Sequence, residues 1–180
     1  MRSFAVAVLI LFLAVVTSGC AGTLKAKGMA APVASSSNYF EDEDLKIGMD
    51  IVDNSKVVMD ILNKTGGPIR LTWCNSTFAT AYGKDEKLAY RVVSGGADDK
   101  NGITTLNGGK SAVFEVYPAP NAVKDKDGKE TIYPLYYEGK VKGEPSFVNG
   151  KTVGVNLVLE IKDHTRMYNL RLRVERKITG

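Results

Sequence analysis

The chain has 180 residues, a formal net charge of +4 and a pI near 9.0, with 24 Lys and Arg set against 20 Asp and Glu. Bases and acids alternate along nearly the whole length without a dense basic block, which excludes the electrostatic footprint of a nucleic-acid-binding protein. One histidine and two cysteines are too few for the usual four-ligand zinc sets, so neither a metal nor a cofactor is expected.

Residues 1–19 read as an export signal. Arg2 supplies a positive start, Phe4 to Val16 is an unbroken apolar run, and the small residues Thr17-Ser18-Gly19 lead into Cys20. The run is shorter than the roughly 18 apolar residues a membrane span needs. Val16-Thr17-Ser18-Gly19-Cys20 resembles the lipobox of bacterial lipoproteins, with Thr17 where that family prefers leucine. The resemblance implies cleavage before Cys20, acylation of Cys20 and attachment to a membrane. Ala21 stands where lipoproteins retained at the inner membrane often carry Asp, which implies the outer membrane and its periplasmic face. The same residues also allow an ordinary secretory signal cut at Gly19-Cys20-Ala21.

Residues 20–40 are expected to be the lipidated cysteine and a tether, because Ala21 to Asn38 holds Gly, Ala, Lys, Pro and Ser without apolar periodicity. Residues 41–180 then form one domain, long enough to bury a core. Glu41-Asp42-Glu43-Asp44 reads as a solvated charge cluster at its edge.

Strand patterns follow in order. Leu45, Ile47, Met49 and Ile51 share a face, Val57 to Leu62 is a second strand, and Asn63 to Pro68 is a turn by composition. Ile69, Leu71 and Trp73 make a third face. Leu88, Tyr90 and Val92 alternate, Ser94 to Gly102 reads as a Gly- and Asp-rich loop, and Asn107-Gly108-Gly109 as a hairpin turn before Ala112, Phe114 and Val116. Pro118 and Pro120 stop that strand. Val153, Val155, Leu157, Leu159 and Ile161 pair across the loop Lys162 to Arg166 with Tyr168, Leu170, Leu172 and Val174 as an antiparallel hairpin. No segment carries a full amphipathic-helix repeat. Seven to nine short strands predict an all-β, antiparallel β-sandwich, with an immunoglobulin-like arrangement preferred. Asn63-Lys64-Thr65, Pro68-Ile69-Arg70-Leu71 and Phe78 are similar to the start of small immunoglobulin-like modules such as the bacterial intracellular proteinase inhibitor domain. The similarity covers about thirty residues and assigns no protease-binding residue.

Catalytic chemistry finds no footing. His164 is the one histidine, beside Asp163 in a hairpin loop, with no Gly-x-Ser-x-Gly elbow anywhere. Asp125 to Glu130 fails the EF-hand pattern at Val123 and Pro134, and Gly109-Lys110-Ser111 lacks the first glycine of a phosphate loop. Asn63-Lys64-Thr65 and Asn75-Ser76-Thr77 satisfy the glycosylation sequon, a signal usually unread in bacteria. Cys74 is expected to be a half-buried thiol in a strand, without a partner if Cys20 is acylated. The segment that suggests a surface is Ile132-Tyr133-Pro134-Leu135-Tyr136-Tyr137, where Tyr133, Tyr136 and Tyr137 offer rigid amphipathic contact area on an edge. These features lead to the expectation of a non-enzymatic, membrane-anchored scaffold that binds another envelope protein in a secretion, motility or surface complex. The alternative is a ligand-binding or protease-inhibiting lipoprotein, using the loops Ser94 to Gly102 and Ala119 to Glu130 at one end of the sandwich.

Overall fold

The computed structural model describes residues 33–35, 38–136, 140–141, 144–145 and 151–174, which are nearly all β, with no α-helix among them. Cys20 and Tyr137 lie outside the described residues. In chain order, β1 (Val33–Ser35) and β2 (Tyr39–Glu41) precede a hairpin of β3 (Leu45–Val52) and β4 (Lys56–Asn63). A 3-10 turn at Trp73–Asn75 separates β5 (Ile69–Thr72) from β6 (Thr77–Ala79). The long β7 (Asp85–Gly95) runs into β8 (Ala97–Lys100) and β9 (Ile103–Leu106), and β10 (Ser111–Pro118) follows. After a 3-10 turn at Ala119–Asn121 come β11 (Ala122–Lys124), β12 (Glu130–Ile132), the two-residue pair β13 (Lys140–Val141) and β14 (Glu144–Pro145), and the hairpin of β15 (Thr152–Ile161) and β16 (His164–Arg173). Only β3, β4, β7, β10, β15 and β16 reach eight residues, so the excess over nine strands consists of short pieces.

Two ladders form. The first runs β2-β3-β4-β10-β7; in the second β15 pairs with β16 on one side and with β5 and β6, end to end, on the other. β9 and β8 extend it beyond β5, and β1 lies along β16 as the one parallel pairing among the described residues. β7 belongs to both ladders, since Asp85 to Lys87 pair with β6 and Leu88 to Gly95 pair with β10. Period-two alternation explains the layering. Leu45, Ile47, Met59, Ile61 and Phe114 of the first ladder meet Leu71, Leu157, Tyr168 and Leu170 of the second in one core, all fully buried. Each such side chain contributes about 1.5–3 kcal/mol by leaving water. Trp73 stacks on Tyr90 at 4.5 Å and tilts against Phe114 at 5.0 Å, filling the space beside the break between β5 and β6.

That break leaves the Val158 backbone of β15, which registers with Met167 of β16, without a strand partner on its other side, and two hydroxyls replace one. Val158 N–H donates to Ser76 Oγ at 2.9 Å and Thr72 Oγ1 donates to Val158 O at 2.8 Å, while Ser76 Oγ donates to Thr72 O. The tight turns Asp53-Asn54, Asn101-Gly102 and Lys162-Asp163 all have positive φ, the twist that suits two-residue hairpins. Gly154 is needed for space: a Cβ there would collide with the Leu170 carbonyl of β16.

Several expectations change. The segment read as a tether contains β1, whose Val33, Ala34 and Ser35 register with Tyr168, Asn169 and Leu170. The segment read as the loop Ser94 to Gly102 is the end of β7 and all of β8; its polar sequence hides a strand because only one side of β8 is paired. Asn107-Gly108-Gly109 is a crossover and not a hairpin turn, since β9 and β10 belong to different ladders. The acidic quartet is solvated only in part: Glu41 and Glu43 are exposed, Asp42 is half-buried and Asp44 is buried. Asp44 has a side chain only 2% exposed and accepts Lys162 Nζ at 2.8 Å and Arg166 at 2.7 Å, bridging the two ladders. Burial works to raise the Asp44 carboxyl, but the Lys162 hydrogen bond and the charges of Arg166 and Lys162 outweigh it and hold the group below its ordinary value. Asp42 Oδ1 accepts the Asp44 and Leu45 N–H groups, its Oδ2 accepts Tyr168 OH at 3.1 Å, and Glu41 pairs with Lys64.

Candidate partner-binding surface

Strand directions give the domain two ends. β3 runs from the Asp44 clamp to the Asp53-Asn54 turn, and β16 runs from the Lys162-Asp163 turn, at the clamp, to Arg173. The segment from Ala119 to Tyr136 gathers at the far end, because Pro118 pairs with Leu88, Val116 with Val57, and Leu135 N–H donates to the Asn54 carbonyl. There β11 and β12 form a small separate hairpin, with Ala122 opposite Ile132.

The tyrosine segment is bolted to this end by its backbone. Tyr133 N–H donates to Asn121 O at 2.8 Å, and Asn121 Nδ2 donates to the Tyr133 and Pro134 carbonyls. Leu135 N–H donates to Asn54 O at 2.8 Å, Asn54 Nδ2 donates to Tyr136 O, and Leu135 sinks into the core. Proline at 134 fits a segment that owes the sheets no ladder hydrogen bond. The three tyrosines therefore separate. Tyr133 is 48% exposed, Tyr136 packs its ring against the core, and Tyr137 lies outside the described residues.

Two further apolar side chains, unmarked in the sequence, share the far end. Val123 of β11 is 44% exposed, and Tyr82, in the turn between β6 and β7, is 52% exposed with the Lys151 ammonium 5.7 Å from its ring. Lys151 precedes β15, opposite Val174 N–H, which fixes the turn at the far end. Beside these residues a string of ion pairs crosses the outer face: Lys56 to Glu115 at 2.6 Å, Glu115 to Arg91 at 3.8 Å and Arg91 to Glu130 at 3.2 Å. Burial, with the Glu130 charge adding to it, pushes the Tyr117 hydroxyl up behind this string. Apolar contact groups bordered by charge are what a modest protein-binding face is made of.

The remaining candidates resolve into structure. Asp99 accepts Tyr90 OH at 2.7 Å and Thr104 Oγ1 at 2.9 Å, and Thr104 Oγ1 accepts Trp73 Nε1 at 2.8 Å. That chain ties β8 to the core aromatics, and burial with the Asp99 contact raises the Tyr90 hydroxyl well above its ordinary value. The segments proposed as converging loops do not meet at one end: Gly95 pairs with Ala112 and Leu88 with Pro118, so they flank opposite ends of the β7–β10 ladder. Asp125 Oδ1 caps its own turn through the Asp127 and Lys129 N–H groups, which accounts for its carboxylate without a cation. His164 is exposed at the start of β16. Asn63 is fully buried and makes four hydrogen bonds with Gly67, Leu106 and Thr65, which closes its sequon to modification in the folded chain. Cys74 differs from expectation on two counts: it is exposed at the 3-10 turn, not half-buried in a strand, and it is disulfide-bonded. The only sequence signal for that state was the exported setting together with the second cysteine, Cys20.

No protein-family model matches the chain, and neither does any curated protein.

Proposed function

We propose that this chain is a bacterial lipoprotein, anchored through Cys20 at the periplasmic face of the outer membrane, with one immunoglobulin-like domain that binds another envelope protein. The strand orders β3-β4-β10-β7 and β5-β15-β16 support the immunoglobulin-like reading, since they follow the two-sheet plan of that fold. The observation that carries the binding role is the exposure of Tyr82, Val123 and Tyr133 together at the far end. Its mechanism is tethering: confinement at a membrane raises the effective concentration of a face that is modest in itself.

The binding test is affinity co-purification of the native protein from detergent-extracted cells, compared with Tyr82→Ser/Tyr133→Ser. Tyr136 is left intact, because its ring is part of the packing. A retained set of envelope proteins that disappears in the variant supports the reading; a protein that emerges alone overturns it. The anchor has a separate test. Acylation of Cys20 and a disulfide between the chain's two cysteines exclude each other, so the disulfide-bonded Cys74 weighs against the anchor. Intact mass of the unreduced protein decides: a lipid increment on Cys20 supports the anchor, and an unlipidated chain refutes it.

A further inference from the structure

The outer face of the second ladder carries a cation to which the fold gives no counter-ion. Arg171 stands between the buried Leu170 and Leu172 on β16, so its side chain points away from the core. Its Nη1 donates to Leu170 O at 2.9 Å and to Val155 O at 3.4 Å, and its Nη2 donates to Asn156 Oδ1 at 2.6 Å. No carboxylate of the described residues forms an ion pair with it. Burial pulls the guanidinium down from its ordinary value, with the charge of Asp85 working the other way, yet an arginine stays charged. A half-buried charge is ordinarily paired. The hydrogen bonds also set a direction. Arginine only donates, so Asn156 turns Oδ1 toward it and Nδ2 toward Thr77, whose Oγ1 accepts at 2.8 Å. What remains along the strip is donors: the Arg171 Nε–H, a second hydrogen on Nη2 and on Asn156 Nδ2, and the Thr77 hydroxyl proton. Nε reaches the surface, because the only buried side-chain polar atoms without a partner among the described residues are Asn54 Oδ1 and Glu115 Oε2.

Register places the strip at the far end of the domain. Arg171, Gly154, Ala79 and Asp85 lie side by side across β16, β15, β6 and β7, with Asn156 opposite Thr77 two residues along. The Thr80–Lys84 pair that closes the turn carrying Tyr82 follows directly on Ala79 and precedes Asp85, so the strip borders the face that Tyr82 helps to form. We propose that Arg171, Asn156 and Thr77 form a binding site for one carboxylate, presented by an acidic side chain in an extended segment of a protein partner. Nε and Nη2 of Arg171 offer two donors to the two carboxylate oxygens, while Asn156 and Thr77 offer theirs to the peptide carbonyls beside it. Asp85, exposed across Gly154 and Ala79 from Arg171, repels further negative charge and selects a single carboxylate over phosphate or a run of acids. The carboxylate site stands on this geometry alone; that its ligand belongs to the protein gripping Tyr82 rests on the binding reading above.

The experiment is an NMR titration of the isotope-labelled protein with acetyl-alanyl-aspartyl-alanine amide, compared with the same peptide carrying asparagine in place of aspartate. The acidic peptide is expected to shift the Arg171 Nε–H, the Asn156 side-chain amide and the Thr77 backbone amide along one saturable curve, and the asparagine peptide to leave them in place. Arg171→Lys keeps the charge and loses the paired donors, so binding should weaken about tenfold. Asp85→Asn, a change at an exposed side chain, should tighten it about twofold by removing the repulsion, and it keeps the test open if Arg171→Lys does not fold. No saturable shift at Arg171, an equal response to both peptides, or binding that weakens in Asp85→Asn overturns the site. Each of these results leaves the far-end face standing, since co-purification with the Tyr82→Ser/Tyr133→Ser variant tests that face separately.

Discussion

Asp44→Asn is the most informative single change in this protein. Asparagine keeps the shape of the side chain and removes its charge, leaving Arg166 and Lys162 without the carboxylate they share at 2.7 and 2.8 Å. Removing one partner of a buried pair typically costs 3–5 kcal/mol, most of it from the charge left behind. Here the stranded cations can regain water, since the Lys162 side chain is 63% exposed and that of Arg166 25%. The expected loss is therefore lower, about 2–3 kcal/mol. With a denaturant slope of about 2 kcal/mol/M, the urea midpoint falls by about 1–1.5 M. Fluorescence of the chain's one tryptophan, Trp73, reports the transition, because it is buried against Tyr90. The pH dependence has a definite sign. Asp44 is held below its ordinary value of 3.8, so its contribution is present above that value and is lost as pH falls through the lower, folded-state pKa. The gap between wild type and variant should be constant near neutrality and close in strong acid. A loss under about 1 kcal/mol at neutral pH, or a gap that persists in strong acid, would refute the clamp. Arg166→Met combined with Asp44→Asn should cost less than the sum of the single changes.

Burial and the Asp42 carboxylate hold the Tyr168 hydroxyl near 12 against the opposition of Arg166. Its contribution is complete below 10.0, the ordinary value, and is lost as pH rises through about 12. Tyr168→Phe should therefore differ most from wild type at neutral pH, with the difference shrinking in alkaline urea titrations; a difference that grows with pH contradicts the assignment. Ser76→Ala leaves the buried Val158 N–H unpaired and should cost about 1–3 kcal/mol, with faster amide exchange at Val158 as its local signature. Gly154→Ala drives a methyl against the Leu170 carbonyl and should destabilise the β15–β16 hairpin by about 1–3 kcal/mol or more in thermal unfolding; a neutral variant would mean the backbone gives way easily.

What the sequence made legible follows from periodicity. Leu45, Ile47 and Met49, or Val153 to Ile161, alternate because one face meets a core, and the structure buries those side chains. Ala97-Asp98-Asp99-Lys100 carries no such pattern because an edge strand is specified by backbone pairing more than by side chains. Asp44 was misread for another reason: its partner Arg166 is 122 positions away, and nothing local distinguishes a clamped carboxylate from a solvated one. Of the proposed surface, Tyr133 was readable from the proline-flanked tyrosines, whereas Tyr136 differs from it only in the fold. Tyr82 and Val123 escaped because isolated apolar residues in turns and short strands are ordinary in sequence, and only their common placement makes a surface.

β7 gives the two layers a shared backbone. Three of its residues register with β6 in one ladder and seven of the next eight with β10 in the other, so the layers part only if one of those pairings is broken. Pulled from its two ends, the domain would then yield with both layers together, as a single mechanical unit and not as plates that slide past each other.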